Sequence, residues 1–144
     1  MELIKKFVEK VGSAPWYKLL GMKIELGERI AIILEVEEKH LQALGVAHGG
    51  VAASVLDSAI GLNINRELVL KGKVAVTSQL NIHYLKPLQK GRIRAVARPL
   101  YIGSKVAVGF GELLDEKGET LAVATATFYI RDLGGENSVK FKDL

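Results

Sequence analysis

HGGVAASVLDSAIG, residues 48–61, is the most informative stretch of the chain. Its small and apolar residues, without a proline, indicate a helix that begins at the glycine pair. Gly49 and Gly50 then present backbone N–H groups at the helix start, where the helix dipole favours negative charge. Asp57 follows in the middle of the helix as a candidate base or nucleophile. A backbone oxyanion donor and a carboxylate are parts of an acyl-transfer site.

The predicted helix, about residues 49–66, has two different faces. The face expected to pack on a sheet is apolar and comprises Val51, Ala52, Val55, Leu56, Ala59, Ile60 and Leu62. The other face is small and polar and comprises Ala53, Ser54, Asp57, Ser58 and Gly61. Asp57 is the only ionisable residue between Gly49 and Asn65, whereas a solvated face would carry many charges. We therefore expect a substrate, a second subunit or both to approach this face closely.

The spacing of Gly49 and Asp57 predicts an oligomer. They lie eight residues apart, which is about 12 Å along a helix axis at about 1.5 Å per residue. An oxyanion donor and a base or nucleophile must both come within about 3 Å of one reacting centre. If both residues are catalytic, Gly49 of one subunit must therefore work with Asp57 of another. We hypothesise an obligate symmetric dimer whose helices face each other in antiparallel orientation.

The whole sequence predicts a single α+β domain over residues 1–144, with five or six strands around one long helix. An N-terminal helical segment, residues 1–20, precedes the strands, and a loosely held tail, residues 132–144, follows them. Strand candidates occupy 22–26, 29–37, 73–85, 91–102, 105–115 and 120–131.

The strand predicted at 73–85 alternates in a regular way. One face is expected to carry Val74, Val76, Leu80, Ile82 and Tyr84. The other face is expected to carry Thr77, Gln79, Asn81 and His83. This pattern puts Thr77 and Tyr84 on opposite sides of the sheet.

Composition disfavours several classes of protein. The chain has no cysteine, which excludes disulfides and thiolate metal sites and favours a reducing cytoplasm. Its first residues lack the apolar core of a signal peptide, and no apolar run approaches the ~20 residues of a membrane span. A net charge of +4 suits an anionic small ligand but is too small to predict nucleic-acid binding. The three histidines lack ligand spacing, so no metal site is predicted.

Two segments resemble the hotdog-fold thioesterases, and most closely the PaaI-type acyl-CoA thioesterases. They are residues 42–61, QALGVAHGGVAASVLDSAIG, and residues 76–87, VTSQLNIHYLKP, which end in an aromatic residue and a proline. With the strand order, the likeness covers about residues 20–131. It implies a hotdog fold and a homodimer that often pairs into a homotetramer. It also implies hydrolysis of acyl-CoA thioesters, with coenzyme A as part of the substrate and without a metal or other cofactor.

The resemblance further implies roles for individual residues. Asp57 takes the position of the catalytic carboxylate, as nucleophile or as general base for water, and Gly49 supplies the N–H that polarises the thioester carbonyl. Gln42 takes a position that orients the carbonyl or the water, and Thr77 a hydroxyl position near the carboxylate. His48 belongs to the motif mainly through the geometry of the helix start. From the residues alone, a non-catalytic Asp57 that faces a wet interface or caps a neighbouring loop stays an open alternative.

Coenzyme A carries phosphates, and the sequence offers basic and glycine-containing regions to bind them. Arg92, Arg94 and Arg98 share one face of a predicted strand, with Lys86 just before it. The candidate binding residues are Gly50, Lys86, Arg92, Gly103, Ser104 and Lys105. The alternative is a solvated basic strand face.

Two other functions stay open at this point. One is a non-catalytic acyl-CoA-binding module on the same fold, although a DNA-binding segment that would suit a regulator is not visible in the sequence. The other is a dehydratase acting on a 3-hydroxyacyl thioester. Such an enzyme uses a catalytic histidine with an acidic partner, but the predicted helix interior offers Asp57 and no histidine.

Overall fold

The computed structural model describes residues 1–134, which are organised by one long helix. The elements in chain order are α1 (Glu2–Gly12), α2 (Pro15–Leu20), β1 (Lys23–Glu25), β2 (Ala31–Val36), a 3-10 turn (Glu38–His40), α3 (Gly49–Val69), β3 (Lys73–Tyr84), β4 (Gly91–Ile102), β5 (Val106–Leu114) and β6 (Thr120–Asp132). The predicted tail begins inside β6, and the Leu133 N–H donates to the Gly72 carbonyl. Residues 135–144 of this predicted tail lie outside the described part of the chain.

The strands form one antiparallel sheet of six in the order β1-β2-β4-β5-β6-β3. α3 lies on one face of this sheet, with its predicted apolar residues buried against the strands. Gly109 and Gly111 in β5 permit this close packing: a Cβ atom at Gly109 would lie 2.4 Å from Cγ2 of Ile60. The predicted α+β layout, a long helix wrapped by an antiparallel sheet, is confirmed. Within residues 1–134, no helix has both the length and the apolar character to cross a membrane.

Two buried asparagines fix the position of α3 along the sheet. Asn63 donates to the Ile30 carbonyl at 2.8 Å and accepts from the Ile30 N–H at 3.0 Å. Asn65 forms the same pair of bonds with Ala75, at 3.1 and 2.7 Å. Each side chain satisfies one buried backbone donor and one buried acceptor. The amide pairs therefore tie α3 to the residue before β2 and to the third residue of β3.

We expect Asn63→Leu to lower the free energy of unfolding by about 3 kcal/mol or more. Leucine has a similar volume, but it leaves the N–H and the carbonyl of Ile30 buried without their partner. Denaturant unfolding measures the loss. Gln89→Leu, at an exposed loop amide, is the matched control and is expected to change stability by less than about 0.5 kcal/mol. Equal unfolding midpoints for Asn63→Leu and wild type would contradict the proposed role of the amide.

A β-bulge in β3 corrects one sequence prediction. Thr77 pairs with Phe128 and Gln79 pairs with Thr127, so Ser78 is the inserted residue. Thr77 and Tyr84 were expected on opposite faces, but both contact α3 through their hydroxyl groups. The expected alternation was wrong because one extra residue shifts every later side chain to the other face.

The N-terminal helical segment packs on α3. α1 buries Ile4, Phe7 and Val8, which recur at helical spacing as predicted. α2 begins with Pro15 and ends at Leu20, and the following Gly21 has a φ of 82°, the left-handed conformation typical of a helix C-terminus. α1 and α2 therefore cover part of the surface of α3 that the sheet leaves free.

Candidate active site

The start of α3 presents one unpaired backbone donor. His48 caps the helix, and its Nδ1 atom accepts a hydrogen bond of 2.9 Å from the Gly50 N–H. This bond engages the N–H of Gly50, which had been assigned to substrate binding. The N–H of the exposed Gly49 has no acceptor within residues 1–134. The helix dipole strengthens the attraction of this N–H for negative charge, so the geometry suits an anionic oxygen at Gly49.

Tyr84 explains why residue 49 is a glycine. Its hydroxyl donates to the Gly49 carbonyl at 2.6 Å, and a Cβ atom at Gly49 would lie 3.2 Å from that same hydroxyl. A larger side chain at residue 49 therefore displaces the tyrosine. Tyr84 links the end of β3 to the start of α3 and fixes the position of the unpaired donor.

Asp57 lies on the small polar face of α3 and is held by Thr77. The Thr77 hydroxyl donates to Asp57 Oδ1 at 2.8 Å. Burial raises the pKa of Asp57 above the ordinary value of an aspartate, and the hydrogen bond from Thr77 offsets part of this rise. The neighbouring Ala53, Ser54 and Ser58 are half-buried. A half-desolvated carboxylate in a fixed orientation, surrounded by small side chains, is suited to act as a base or nucleophile.

The structure brings only some of the predicted residues together. Asp57 and Thr77 are in contact, whereas Gly49 lies on the same unbroken helix, about 12 Å from Asp57 along the axis at about 1.5 Å per residue. Gln42 lies in a turn before the helix, where its side-chain oxygen accepts from the Leu44 N–H. One chain alone therefore holds the carboxylate and the unpaired donor at separate places.

Lys86, a predicted phosphate ligand, lines a cleft at the start of α3. This cleft of about 360 Å³ is lined by Gly49, Tyr84, Lys86 and other residues. Lys86 also lines a neighbouring cleft of about 520 Å³ together with Arg92. Both cations already have carboxylate partners: Lys86 pairs with Glu119 at 3.0 Å and Arg92 pairs with Glu35 at 2.7 Å.

Gly103, Ser104 and Lys105 lie far from these clefts within one chain. They form the turn between β4 and β5, where the Gly103 N–H donates to the Val106 carbonyl. Arg92 is at the opposite end of β4, a strand of 12 residues, which corresponds to about 40 Å at about 3.3 Å per residue. The two predicted phosphate-binding regions therefore cannot hold the same phosphate group in one chain.

Sequence reasoning did not assign a role to the residues of α2 that lie beside Asp57. The Trp16 indole N–H donates to Ser54 Oγ at 3.2 Å, and the Tyr17 hydroxyl bonds to Ser58. No pattern in residues 15–20 indicates which part of α3 they contact. Among residues 1–134, no group of three or more His, Cys, Asp or Glu side chains is arranged to hold a metal ion.

Comparison with known proteins places the chain in a family. The thioesterase superfamily model matches residues 44–122, which is more than half of the chain. The medium/long-chain acyl-CoA thioesterase YigI of Escherichia coli is 33% identical over an alignment of 132 positions that covers 81% of this chain and 85% of YigI.

Two solved structures of related proteins have the same fold. The BH2602 protein from Bacillus halodurans, crystallised with CoA, has a TM-score of 0.76 and 33% identity, over 90% of this chain and 83% of that chain. PaaI from Thermus thermophilus has a TM-score of 0.73 and 28% identity, over 81% of this chain and 98% of that chain. The resemblance to PaaI-type hotdog proteins and the prediction of a thioester hydrolase are confirmed at this level. The chain belongs to the thioesterase superfamily and has its hotdog fold.

Proposed function

We propose that this protein hydrolyses acyl-CoA thioesters at two sites of a homodimer, each combining Asp57 of one subunit with Gly49 of the other. The observation that carries the proposal is the half-buried Asp57 carboxylate, which Thr77 orients on a helix face of small residues. The unpaired N–H of Gly49 supports it as an oxyanion donor. The names of the relatives also support an acyl-CoA substrate, since one relative is a medium/long-chain acyl-CoA thioesterase and another was crystallised with CoA.

The reaction needs one carboxylate and one donor. Asp57 either attacks the thioester carbon, forming an anhydride that water then cleaves, or removes a proton from a water molecule that attacks the same carbon. In both routes the carbonyl oxygen becomes negative and accepts a hydrogen bond from the N–H of Gly49 of the partner subunit. The C–S bond breaks as the carbonyl re-forms, which in the first route happens before water cleaves the anhydride, and coenzyme A leaves as a thiolate. The thiolate takes up a proton, and in the second route Asp57 releases the proton that it took from water. The products are the free acid and coenzyme A.

The edge of the sheet supports a dimer. β3 pairs with β6 on one side only, and Val76 on this strand is 40% exposed. A long exposed edge strand is a surface for pairing with a second chain. We infer that β3 pairs with β3 of the partner subunit in antiparallel orientation, which places the two α3 helices side by side and antiparallel. Further pairing of dimers into a tetramer is part of this proposal.

Coenzyme A is proposed to lie with its phosphates near Lys86, because Lys86 and Gly49 line the same cleft. Arg92 lines the neighbouring cleft together with Lys86. Gly103, Ser104 and Lys105 can contribute only from another subunit, because they lie at the other end of the sheet. Gln42 is proposed to orient water or the carbonyl group, and His48 to maintain the helix start. A cytoplasmic location stays a prediction from the absence of cysteine.

Thiol release from a panel of short, long and aromatic acyl-CoAs tests the proposed function. A thiol reagent gives no background from the protein, because the chain has no cysteine. We expect release from at least one thioester and the loss of release in Asp57→Asn. Binding of acyl-CoA without thiol release would favour the non-catalytic binding module. Loss of substrate without thiol release would favour the dehydratase.

We expect Thr77→Val to reduce kcat/KM about 10-fold and to move the acid limb of the pH profile to higher pH. The Thr77 hydrogen bond lowers the pKa of Asp57, so its loss raises that pKa and reduces the ionised fraction at a given acidic pH. Thr77→Ser keeps the hydroxyl and serves as the control. A Thr77→Val profile that overlays that of wild type would remove Thr77 from the site.

A further inference from the structure

We propose that Trp16 is a specificity-determining residue that contacts the apolar acyl group of the thioester and makes longer acyl chains better substrates. This inference rests on the proposed function, and it adds an acyl-binding wall formed by α2 to that site. No sequence motif marks this residue, and it precedes the segment that the family model matches.

α2 is attached to the same face of α3 that carries Asp57. Ser54 and Ser58 flank Asp57 on this face, and each bonds to one residue of α2. The Trp16 indole N–H donates to Ser54 Oγ at 3.2 Å, and the Tyr17 hydroxyl bonds to Ser58. Ser54 lies three residues before Asp57, about 4.5 Å along the helix axis at about 1.5 Å per residue. The Trp16 indole is therefore bonded to a residue that lies within one helical turn of the proposed reacting group.

The Trp16 ring is held in place although much of it is exposed. Its only polar group is satisfied by Ser54, whose own hydroxyl donates to the Gly50 carbonyl at 2.9 Å. The residue is nevertheless 55% exposed, and Leu19, one turn further along α2, is 65% exposed. An oriented aromatic ring with a satisfied N–H offers an apolar surface to a ligand at little entropic cost.

β3 contacts the same small polar face of α3 as α2 does. The Thr77 hydroxyl donates to Asp57, and the Trp16 indole donates to Ser54 about one turn earlier on the helix. A carbonyl carbon bound at Asp57 therefore has an apolar wall on the α2 side. The smaller cleft that contains Lys86 lies at the start of α3, where the proposed phosphate site is located. This separation of apolar and cationic surfaces matches the two ends of an acyl-CoA, and it assigns the acyl end to Trp16.

The first test compares thioesters of different chain length. We expect Trp16→Ala to reduce the ratio of kcat/KM for octanoyl-CoA to kcat/KM for acetyl-CoA by roughly 10- to 100-fold. Trp16→Phe keeps an aromatic ring and is expected to retain most of this ratio. Leu70→Ala removes an exposed leucine at the far end of α3 and is the control that retains the wild-type ratio. A Trp16→Ala variant with the wild-type ratio, or with equal losses for both substrates, would overturn the proposal.

The second test uses the fluorescence of Trp16, which is the only tryptophan in the chain. In an Asp57→Asn background, we expect octanoyl-CoA to shift the emission, and coenzyme A alone to shift it much less. Equal responses to both ligands, or a response to protein concentration only, would assign Trp16 to another contact and overturn the inference. Another outcome is that wild type releases no thiol from any thioester while octanoyl-CoA still shifts the emission. That result would support the acyl contact of Trp16 and would contradict the proposed hydrolytic function. Thiol release without any shift overturns the acyl contact alone.

Discussion

Asp57→Asn is expected to reduce kcat for thioester hydrolysis by about 10³-fold, the range of a lost base or nucleophile. Asparagine keeps an oxygen that accepts from Thr77, so the local geometry is preserved while the charge is removed. Thiol release under saturating acyl-CoA measures the loss. Asp132→Asn is the matched control, because Asp132 is exposed at the end of β6 and is expected to leave kcat unchanged. Comparable rates for Asp57→Asn and wild type would exclude Asp57 from the mechanism.

The raised pKa of Asp57 leads to two further expected results, one for the pH dependence of activity and one for the pH dependence of stability. The reactive form is the ionised carboxylate, so kcat/KM of wild type falls as pH decreases through this raised pKa. An aspartate with a higher pKa in the folded than in the unfolded chain binds its proton more tightly when folded. Its contribution to stability is therefore present at low pH and is lost as pH rises through the folded-state pKa.

Asp57→Asn is therefore expected to be at least as stable as wild type at neutral pH. Asparagine avoids the cost of the half-buried charge, and its advantage shrinks as acid protonates Asp57 in wild type. Thermal unfolding of both proteins across the acidic range measures this difference. A variant that is clearly less stable at neutral pH, with the same deficit in acid, would contradict the assigned cause of the pKa shift.

Gly49→Pro is expected to reduce kcat by about 10²- to 10³-fold, which is the effect of removing one oxyanion donor. Proline deletes the N–H at residue 49, yet it is well tolerated at the first position of a helix. His48, with φ −59° and ψ 140°, already has the extended conformation that a residue before proline adopts. The substitution therefore removes the proposed donor while the start of α3 is preserved.

Gly49→Ala is the control for the added carbon atoms. Its Cβ meets the Tyr84 hydroxyl at 3.2 Å, as the proline Cβ does, but its N–H is retained. We expect the alanine variant to be much more active than the proline variant. Equal losses in the two variants would assign the effect to crowding against Tyr84 and would contradict the donor role of Gly49.

The sequence predicted the helix and the strands for clear physical reasons. The glycine pair, the apolar face and the isolated Asp57 each leave a pattern at fixed spacing, which the structure reproduces in α3. Thr77 was identified through the family resemblance alone, and its contact with Asp57 is now visible. The sheet followed from long alternating segments separated by glycine-containing turns.

Other features leave no such pattern. The bulge at Ser78 depends on how β3 meets β6, so residue alternation within the strand misplaced Thr77 relative to Tyr84. Asn63 and Asn65 resemble ordinary polar residues of a helix until their strand partners are known. The position of α2 beside Asp57 is a tertiary contact between distant segments, and it could not be derived from spacing.

The most direct measurement of the two-subunit site is the activity of a mixed dimer. Co-expression of Gly49→Pro and Asp57→Asn chains with different tags allows the heterodimer to be purified. Both parent homodimers are expected to be nearly inactive, whereas the heterodimer should show about half the wild-type rate, because one of its two sites keeps both groups intact. A heterodimer as inactive as its parents would contradict a site shared between Gly49 of one subunit and Asp57 of the other.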